Sequence, residues 1–304
     1  MNTEVAVVFA EKSAAYGELC GAAQSLGARP TAFSLGGDAE AIAAFGARVL
    51  SWGDLPEGTM LEDSVPLLER EIRAEDPQIV LMQSSKRAQC IAGRLAVRLG
   101  AVVVNGVLSI ERDGDSLLLT HVVYGGMAKQ VERVSGMVFA LIPSGAFEAA
   151  DAGGQGTVEQ RAAAVESGPI KLVGTKEKQE EIVDLSAAKR VVCVGRGIGN
   201  QGNLRLAEEL AGKFDAEMAC TRPIAESEGW MARSRYVGVS GASVKPDVYL
   251  ALGVSGQVQH MVGALDSRII AVVNKDKNAP CFKNCDIGLV ADVEKVLPVL
   301  ESLL

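Results

Sequence analysis

The sequence predicts an α/β protein of two domains, each a mostly parallel sheet flanked by helices. In the first half of the chain, apolar runs typical of buried strands alternate with runs of helical spacing. A second alternation of the same kind begins near Arg190. Strands that alternate with helices form parallel sheets, so both halves are expected to do so. The 304 residues are enough for two domains, which we place at 1–185 and 186–304.

The elements of the first domain follow from the spacing of its apolar residues. The predicted elements are the strand 4–10, the helix 16–27, the strand 30–36, the helix 61–76, the strand 78–83 and the helix 85–100. Gly100 is expected to end the last of these helices. Residues 101–143 change to several consecutive strands, with a hairpin turn at Asp113-Gly114. Residues 144–168 are mostly Ala, Gly, Ser and Glu and predict a loop or a weak helix.

The second domain repeats the alternation of strand and helix. The polar segment 174–189 is expected to run over the surface and lead into this domain. Its predicted elements are the strand 190–195, the helix 203–214, the strand 216–223, the strand 247–253 followed by a turn and a helix, the strand 268–274, the strand 287–292 and a terminal helix. Parallel sheets bind ligands at the carboxyl ends of their strands, so the turns that follow these strands are the candidates for function.

Four of these turns are polar and rich in glycine, which is more than packing requires. They are residues 191–203, 219–230, 236–247 and 253–263. The first joins a strand to a helix, and such a turn favours contact with phosphate. Its glycines do not follow the G-x-G-x-x-G spacing, and an acidic residue at the usual later position is missing. Nucleotide contact and an ordinary tight turn therefore both stay open on this pattern.

The last of these turns carries His260, one of two histidines in the chain. Ser255 and Gly256 lie where a helix is expected to begin, with Ser255 as its N-cap. Gln259 and His260 would then lie in the first turns, near the positive end of the helix dipole. A single histidine is usually structural, but this one has several polar neighbours. We therefore interpret the 253–263 turn as the strongest functional candidate.

Two further turns place polar side chains beside it. Thr221 and Arg222 come at a strand end, where an arginine either binds a phosphate or aromatic ring or is a plain surface residue. Ser240 lies between Gly238 and Gly241, where it can present its hydroxyl and its N–H together. The alternative for that segment is an ordinary connecting loop.

Taken in order, these motifs resemble the α subunit of an electron transfer flavoprotein. The resemblance covers essentially the whole chain and is densest from Arg196 to Asp292, in the runs "GRG", "TRP", "VGVSG", "GVSGQVQH", "VVNKDKNAP" and "DIGLVAD". The run "YGGMA" at 124–128 and the helix at 85–100 match more loosely. The resemblance implies a Rossmann-like FAD-binding C-terminal domain and a heterodimer with a β subunit. Such a subunit carries electrons from a donor dehydrogenase, for example an acyl-CoA dehydrogenase of fatty acid oxidation, to an acceptor such as a quinone oxidoreductase.

The resemblance also implies which residues bind FAD. These are Arg196, Thr221, Arg222, Val237, Gly238, Val239, Ser240, Ser255, Gly256, Gln257, Val258, Gln259, His260, Asn274, Asp292 and Val293. Arg196, Thr221 and Arg222 would contact the flavin or its diphosphate, and Asn274 and Asp292 the adenosine half. Ser240 takes the place of a threonine hydroxyl near flavin N5. His260 takes the place of a histidine that faces the C2 carbonyl.

The chain departs from the family pattern in the loop that usually reads Q-V-G-Q-T-G-K. Tyr236, Val239 and Ala242 replace its two glutamines and its lysine. A glutamate that usually precedes the position of Asn203 is also missing. Residues implied to hold FAD are thus mostly kept, while those that would set its potential are less so.

Composition excludes several other classes of protein. The net charge of -8 disfavours a nonspecific binder of nucleic acid. The sequence shows neither a signal peptide nor an apolar run near the roughly 18 residues of a membrane helix. Six scattered cysteines fit reduced thiols and a cytoplasmic protein. Cys281 and Cys285 stand in a C-x3-C spacing, which is a poor zinc signal.

The sequence also lacks a convincing Ser-His-Asp arrangement, so we expect no catalytic residue and no metal ligand. The main interpretation is therefore an electron carrier without substrate chemistry of its own. Two alternatives stay open. One is a self-contained enzyme that uses NAD or a thiamine cofactor on the same kind of domain. The other is a flavin-free structural or regulatory binding module.

Overall fold

A computed structural model describes residues 2–162, 165–174, 183 and 185–303. The chain divides into two compact units, one formed by Met1–Val123 with Lys129–Glu177 and the other by Tyr124–Ala128 with Lys178–Leu304. Each contains a parallel sheet flanked by helices, which confirms the predicted fold class. Much of the predicted surface segment 174–189 lies outside the described residues. None of the described helices is long and apolar enough to cross a membrane.

The first unit is built on ten described strands. They are β1 (Asn2–Phe9), β2 (Arg29–Ser34), β3 (Arg48–Ser51), β4 (Pro77–Gln83), β5 (Val102–Asn105), β6 (Val107–Asp113), β7 (Ser116–Val123), β8 (Ala128–Val134), β9 (Val138–Ile142) and β10 (Thr157–Gln160). Seven of them pair in parallel in the order β10-β3-β2-β1-β4-β9-β5. The other three form a small separate sheet in the order β6-β7-β8.

The helices of this unit cover both faces of its large sheet. They are α1 (Tyr16–Ser25), α2 (Ala39–Ala43), α3 (Val65–Glu75) and α4 (Lys86–Leu99). Two separate clusters of buried apolar side chains lie on the two sides of the sheet. Helix α4 begins and ends where the sequence predicts, because both of its ends have capping residues. Ser85 accepts a hydrogen bond from the Ala88 N–H at 3.0 Å, and Gly100 ends the helix in a left-handed conformation.

Two predictions in this unit are corrected. The segment 144–168 contains the edge strand β10, which four residues are too short to reveal by periodicity. It pairs with β3, and the Glu159 carboxylate lies 2.6 Å from the Arg48 guanidinium. The hairpin turn also lies one residue later than predicted. Asp113 pairs with Ser116, so the central residues are Gly114 and Asp115.

The second unit is a five-stranded parallel sheet with helices on its faces. Its described elements are β11 (Arg190–Val194), α5 (Gln201–Lys213), β12 (Glu217–Cys220), α6 (Arg222–Glu226), β13 (Val248–Leu252), α7 (Val258–Met261), β14 (Ile270–Asn274), β15 (Ile287–Val290) and α8 (Val293–Leu303). Short 3-10 turns occur in both units, at Ser13–Ala15, Leu61–Ser64, Tyr124–Gly126, Leu185–Ala187, Arg196–Ile198, Arg233–Arg235 and Pro280–Asn284.

The strand order of this sheet fixes where a crevice opens. The strands lie in the order β12-β11-β13-β14-β15, so the chain leaves β11 towards one edge and returns on its other side. This is the flavodoxin-like doubly wound order, and its switch point falls between β11 and β13. Val192 and Val194 pack on one face and Val191 and Cys193 on the other, so four of the five residues of β11 are buried. The crevice of such a sheet opens at the carboxyl ends of its strands, at the switch point.

Candidate functional site

A cleft of about 610 Å³ lies in the second unit, at the carboxyl ends of β11, β12, β13 and β14. Its volume is within the range of roughly 300–1,000 Å³ that is usual for small-molecule and cofactor sites. It is lined by Gly195, Arg196, Gly197, Thr221, Arg222, Pro223, Tyr236, Val237, Gly238, Val239, Ser240, Gly253, Val254, Ser255, Gln257, Gln259, His260, Asn274, Asp276, Ala279 and Pro280. The four polar turns of the sequence meet here because parallel strands end at one edge of the sheet.

The floor of the cleft is a direct contact between two backbone turns. The Gly197 N–H donates to the Gly253 carbonyl at 3.0 Å, and the Gly195 N–H donates to the Leu252 carbonyl at 2.9 Å. Gly253 has a φ of +66°, and a Cβ there would lie 2.6 Å from Cα of Gly197. Only glycine allows the turns after β11 and β13 to touch in this way. The close approach leaves the switch point open above it for a ligand.

One wall of the cleft is the loop that departs from the family pattern. The Tyr236 hydroxyl donates to the Ser240 carbonyl, and the Val239 N–H donates to the Gln259 carbonyl at 2.8 Å. A Cβ on Gly241 would overlap the ring of Tyr236. Tyr236 is 6% exposed, so its ring is a packed support beneath the loop. The tyrosine thus holds the backbone of Ser240 in place.

The turn that carries His260 differs from its prediction. Helix α7 has four residues and begins after Gln257, and Ser255 does not cap it. Gly253 and Gly256 have φ values of +66° and +74°, and the Ser255 carbonyl accepts from the Cys281 N–H at 3.1 Å. The chain therefore packs against the 3-10 segment at 280–284 before helix α7 begins. A single helical turn carries little dipole, so the predicted dipole effect on His260 is wrong.

His260 itself is a buried, neutral donor or acceptor. It is 8% exposed, and its Nε2 lies 2.8 Å from the Tyr249 hydroxyl and 3.9 Å from the Cys193 sulfur. Burial lowers the pKa of His260 to about 4, and a contact with the backbone of Val237 offsets part of this effect. The imidazole is therefore uncharged near neutral pH. Its Nδ1 is buried without a hydrogen bond of normal geometry to the described residues.

Arginines stand at the mouth of the cleft. Arg196 and Arg222 both line it and are exposed to solvent. The Arg222 Nε lies 2.5 Å from the Glu226 carboxylate, which also binds the Arg233 guanidinium at 2.5 Å. These hydrogen bonds lower the pKa of Glu226, whose ionised form in turn orients Arg222. A positive rim of this kind suits an anionic group such as a phosphate.

Asn274 joins the turns on the other side of the cleft. Its Nδ2 donates to the Val254 carbonyl at 2.7 Å, and its Oδ1 accepts from the Asp276 N–H at 2.9 Å. Both hydrogen-bonding ends of its amide are thus used within the chain. Asn274 acts here as a brace between the turns after β13 and β14.

Most of the residues implied by the resemblance line this cleft. Those that do are Arg196, Thr221, Arg222, Val237, Gly238, Val239, Ser240, Ser255, Gln257, Gln259, His260 and Asn274. Four others are not among its lining residues. Gly256 packs against Cys281, Val258 is 42% exposed, Asp292 accepts a hydrogen bond from the Glu294 N–H at the start of α8, and Val293 is in the core. Which of these residues touch a cofactor stays a prediction.

Sequence reasoning missed several of the lining residues. They are Gly195, Gly197, Pro223, Tyr236, Gly253, Val254, Asp276, Ala279 and Pro280. The glycines were visible in the turns, but their spacing did not show that the two turns touch. Asp276, Ala279 and Pro280 lie in the loop after β14, whose sequence resembles the family but contains no motif that by itself indicates a ligand.

Both halves of the chain match models of known protein families. Residues 9–166 match the model of the electron transfer flavoprotein domain, and residues 184–265 match that of the electron transfer flavoprotein FAD-binding domain. The chain is 41% identical over 314 aligned positions to Protein FixB of Escherichia coli O157:H7, covering 100% of this chain and 99% of the relative. Protein FixB of Shigella flexneri is equally similar, at 41% identity with the same coverage.

Proposed function

The chain belongs to the electron transfer flavoprotein family, and from this premise we propose that the cleft of its second unit binds FAD. It is an α subunit of that family, and its role is electron transfer. The observation that supports the cofactor site most directly is the position of the cleft. It lies at the switch point of the sheet, within and beside the residues that match an FAD-binding domain.

The residues of the cleft fit such a cofactor. The floor of the cleft is bare backbone, because Gly195, Gly197 and Gly253 have no side chains between the two turns. The exposed arginines at the mouth supply positive charge for a diphosphate. The imidazole of His260 lines the cleft, and its buried Nδ1 has no hydrogen bond of normal geometry to the described residues, only a contact with the backbone of Val237. When bound, flavin supplies one- and two-electron redox chemistry, and its reduced ring carries negative charge.

Within this proposal, the polar residues that line the cleft bind or orient parts of the cofactor. Arg196 and Arg222 bind the anionic part of the cofactor, with Glu226 orienting Arg222. Ser240, held through its carbonyl by Tyr236, presents its hydroxyl to the ring. His260 donates a hydrogen bond where negative charge collects. Asn274 lines the cleft, while Gly256, Val258, Asp292 and Val293 are retained as cofactor-binding residues only through the family resemblance, as is 186–304 as the extent of the domain.

The absorption spectrum of the purified protein tests this proposal. We expect flavin bands, and we expect the released cofactor to be FAD, in preparations of the full chain with its β subunit. A fragment of residues 1–185 is the control and should be colourless, since the cleft lies outside it. A colourless full complex that cannot be reconstituted with FAD would favour the flavin-free module. A requirement for NAD or a thiamine cofactor would favour the self-contained enzyme.

Membership in the family implies a β subunit as partner. Apolar side chains of the second unit stand exposed, including Tyr124 (80%) and Met127 (71%). Such surface favours association with another protein. We therefore expect the purified chain to form a 1:1 complex with its β subunit and to self-associate or lose stability without it. Light scattering of both preparations checks this, and a stable lone chain that transfers electrons would contradict it.

The donor and the acceptor are proposals that rest on the family resemblance. They are an acyl-CoA dehydrogenase or similar dehydrogenase and a quinone oxidoreductase or other acceptor. A cytoplasmic location likewise stays a prediction from the sequence.

A further inference from the structure

A buried tyrosine contacts the imidazole of His260 at Nε2, the ring nitrogen other than Nδ1. Tyr249 belongs to β13 and its side chain is completely buried. Its hydroxyl lies 2.8 Å from Nε2 of His260 and also forms a hydrogen bond with the Cys193 thiol. The three side chains come from β11, β13 and α7, so the sheet and the cleft wall meet at this hydrogen-bonded group. Neither the sequence motifs nor the resemblance singled out Tyr249 or Cys193.

The protons in this group can be assigned from the chemistry of its members. Burial raises the pKa of Tyr249 well above its ordinary value, and that of Cys193 as well, so the phenol and the thiol both keep their protons. The imidazole of His260 is neutral and carries one proton. The phenol has a single hydrogen to donate. Its possible acceptors are an imidazole nitrogen and a thiol sulfur, and the sulfur is the weaker of the two.

The strongest acceptor takes the phenol hydrogen, which sets the order of the hydrogen bonds. The Tyr249 hydroxyl donates to Nε2 of His260, and the Cys193 thiol, whose sulfur is 3.9 Å from the same nitrogen, keeps its own proton. Because Nε2 then accepts, the one imidazole proton must be on Nδ1. His260 lines the cleft, and its Nδ1 is buried beside the backbone of Val237, a contact that raises the imidazole pKa as a carbonyl acceptor of the Nδ1 proton does.

We propose that Tyr249 is a positioning residue that fixes His260 in the Nδ1–H tautomer, so that the cleft offers a hydrogen-bond donor to an acceptor oxygen or nitrogen of the bound ring. The part of this inference that concerns the ring rests on the proposed function. The part that concerns the tautomer is a property of the chain itself. The fixed tautomer matters because the other one would present a lone pair, which repels a ring that gains negative charge on reduction.

Nitrogen NMR of histidine-labelled protein tests the tautomer directly. The chain has two histidines, so a complex in which only this chain carries the label shows two imidazole systems, and the His121→Asn variant assigns them. We expect His260 at pH 7 to show a protonated Nδ1 and an unprotonated Nε2 in the complex with its β subunit. A protonated Nε2 in the unaltered protein would overturn the proposal, whether or not any variant folds.

The Tyr249→Phe variant then tests the cause. It keeps the ring and removes the hydroxyl, so we expect the His260 signals to shift towards the Nε2–H tautomer. FAD should bind up to about tenfold more weakly, the equivalent of one hydrogen bond. The matched control is Tyr16→Phe, which removes a buried hydroxyl that donates to the Ala10 and Phe33 carbonyls of the first unit. It should lower stability and leave the His260 signals unchanged.

The outcomes separate this inference from the proposed function. A His260 tautomer that stays the same in Tyr249→Phe shows that the phenol does not fix it and overturns the inference, even if FAD binds normally. A protein that never binds FAD but shows the expected tautomer and its change in Tyr249→Phe overturns the proposed function and leaves the role of Tyr249 in place.

Discussion

Replacing Gly253 with alanine is expected to abolish FAD binding and to destabilise the second unit by roughly 2–6 kcal/mol. Two effects add. The φ of +66° at this position is strained for any residue with a Cβ. The new Cβ would also overlap the backbone of Gly197, and backbone cannot move aside as a flexible side chain can. Separating the two turns removes the floor of the cleft and breaks the Gly197–Gly253 hydrogen bond.

Gly212→Ala is the matched control for this variant. Gly212 lies within α5 of the same unit, and a Cβ there would have no neighbour within 4 Å. Alanine at such a helical position should raise stability by about 1 kcal/mol and leave the cofactor bound. Chemical denaturation and the flavin content of both purified variants provide the comparison. A Gly253→Ala protein that keeps FAD and normal stability would show that the two turns do not need their close contact.

Gly253 also shows how far the sequence could be read. The apolar runs at 190–194 and 248–252 predicted two buried strands, and parallel strands bring their following turns together. Each turn could therefore be placed at one edge of a sheet. The pairing of Gly197 with Gly253 could not, because it depends on the strand order β12-β11-β13, which local spacing does not contain.

The predicted start of the helix that carries His260 was wrong for the same reason, a contact between segments that are distant in the sequence. Ser255 has a side chain suited to cap a helix, yet the loop at 280–284 packs against Gly256 and postpones the helix to Val258. At this position a contact between distant segments overrides a local preference. Asp292 is implied by the family resemblance, and its carboxylate accepts the Glu294 N–H at the start of α8, so its contact with a cofactor stays a prediction.

Tyr236 and Tyr249 are a different case, since nothing in their neighbourhood along the chain indicates their partners. Tyr236 looked like the loss of a polar residue. In the fold its hydroxyl and its ring together hold the loop of Ser240. Tyr249 looked like one apolar residue of a strand, and it is the hydrogen-bond partner of the histidine eleven residues later. The hydroxyls of buried tyrosines find their hydrogen-bond partners only when the fold has packed together.

The largest effect on the potential of bound FAD is expected from His260→Ala. The variant should lower the first reduction potential of bound FAD by about 60–130 mV. The physical reason is the loss of one hydrogen bond to a ring that becomes negative on reduction, since such a bond contributes roughly 1.5–3 kcal/mol. For one electron a tenfold change in equilibrium constant is about 59 mV. Helix α7 is too short for its dipole to account for the effect, so the change should come from the imidazole alone.

Spectroelectrochemical titration of the folded, FAD-loaded complex measures this shift. The control is His121→Ala, which removes the other histidine of the chain. His121 lies 2.9 Å from the Glu132 carboxylate on the small sheet of β6, β7 and β8, so its loss should leave the potential unchanged. The pKa of His260, lowered to about 4, adds a second expectation. Because the imidazole stays neutral above that pH, its contribution to the potential should not change between pH 6 and 8. A His260→Ala protein with an unchanged potential would mean that this histidine only fills the wall of the cleft.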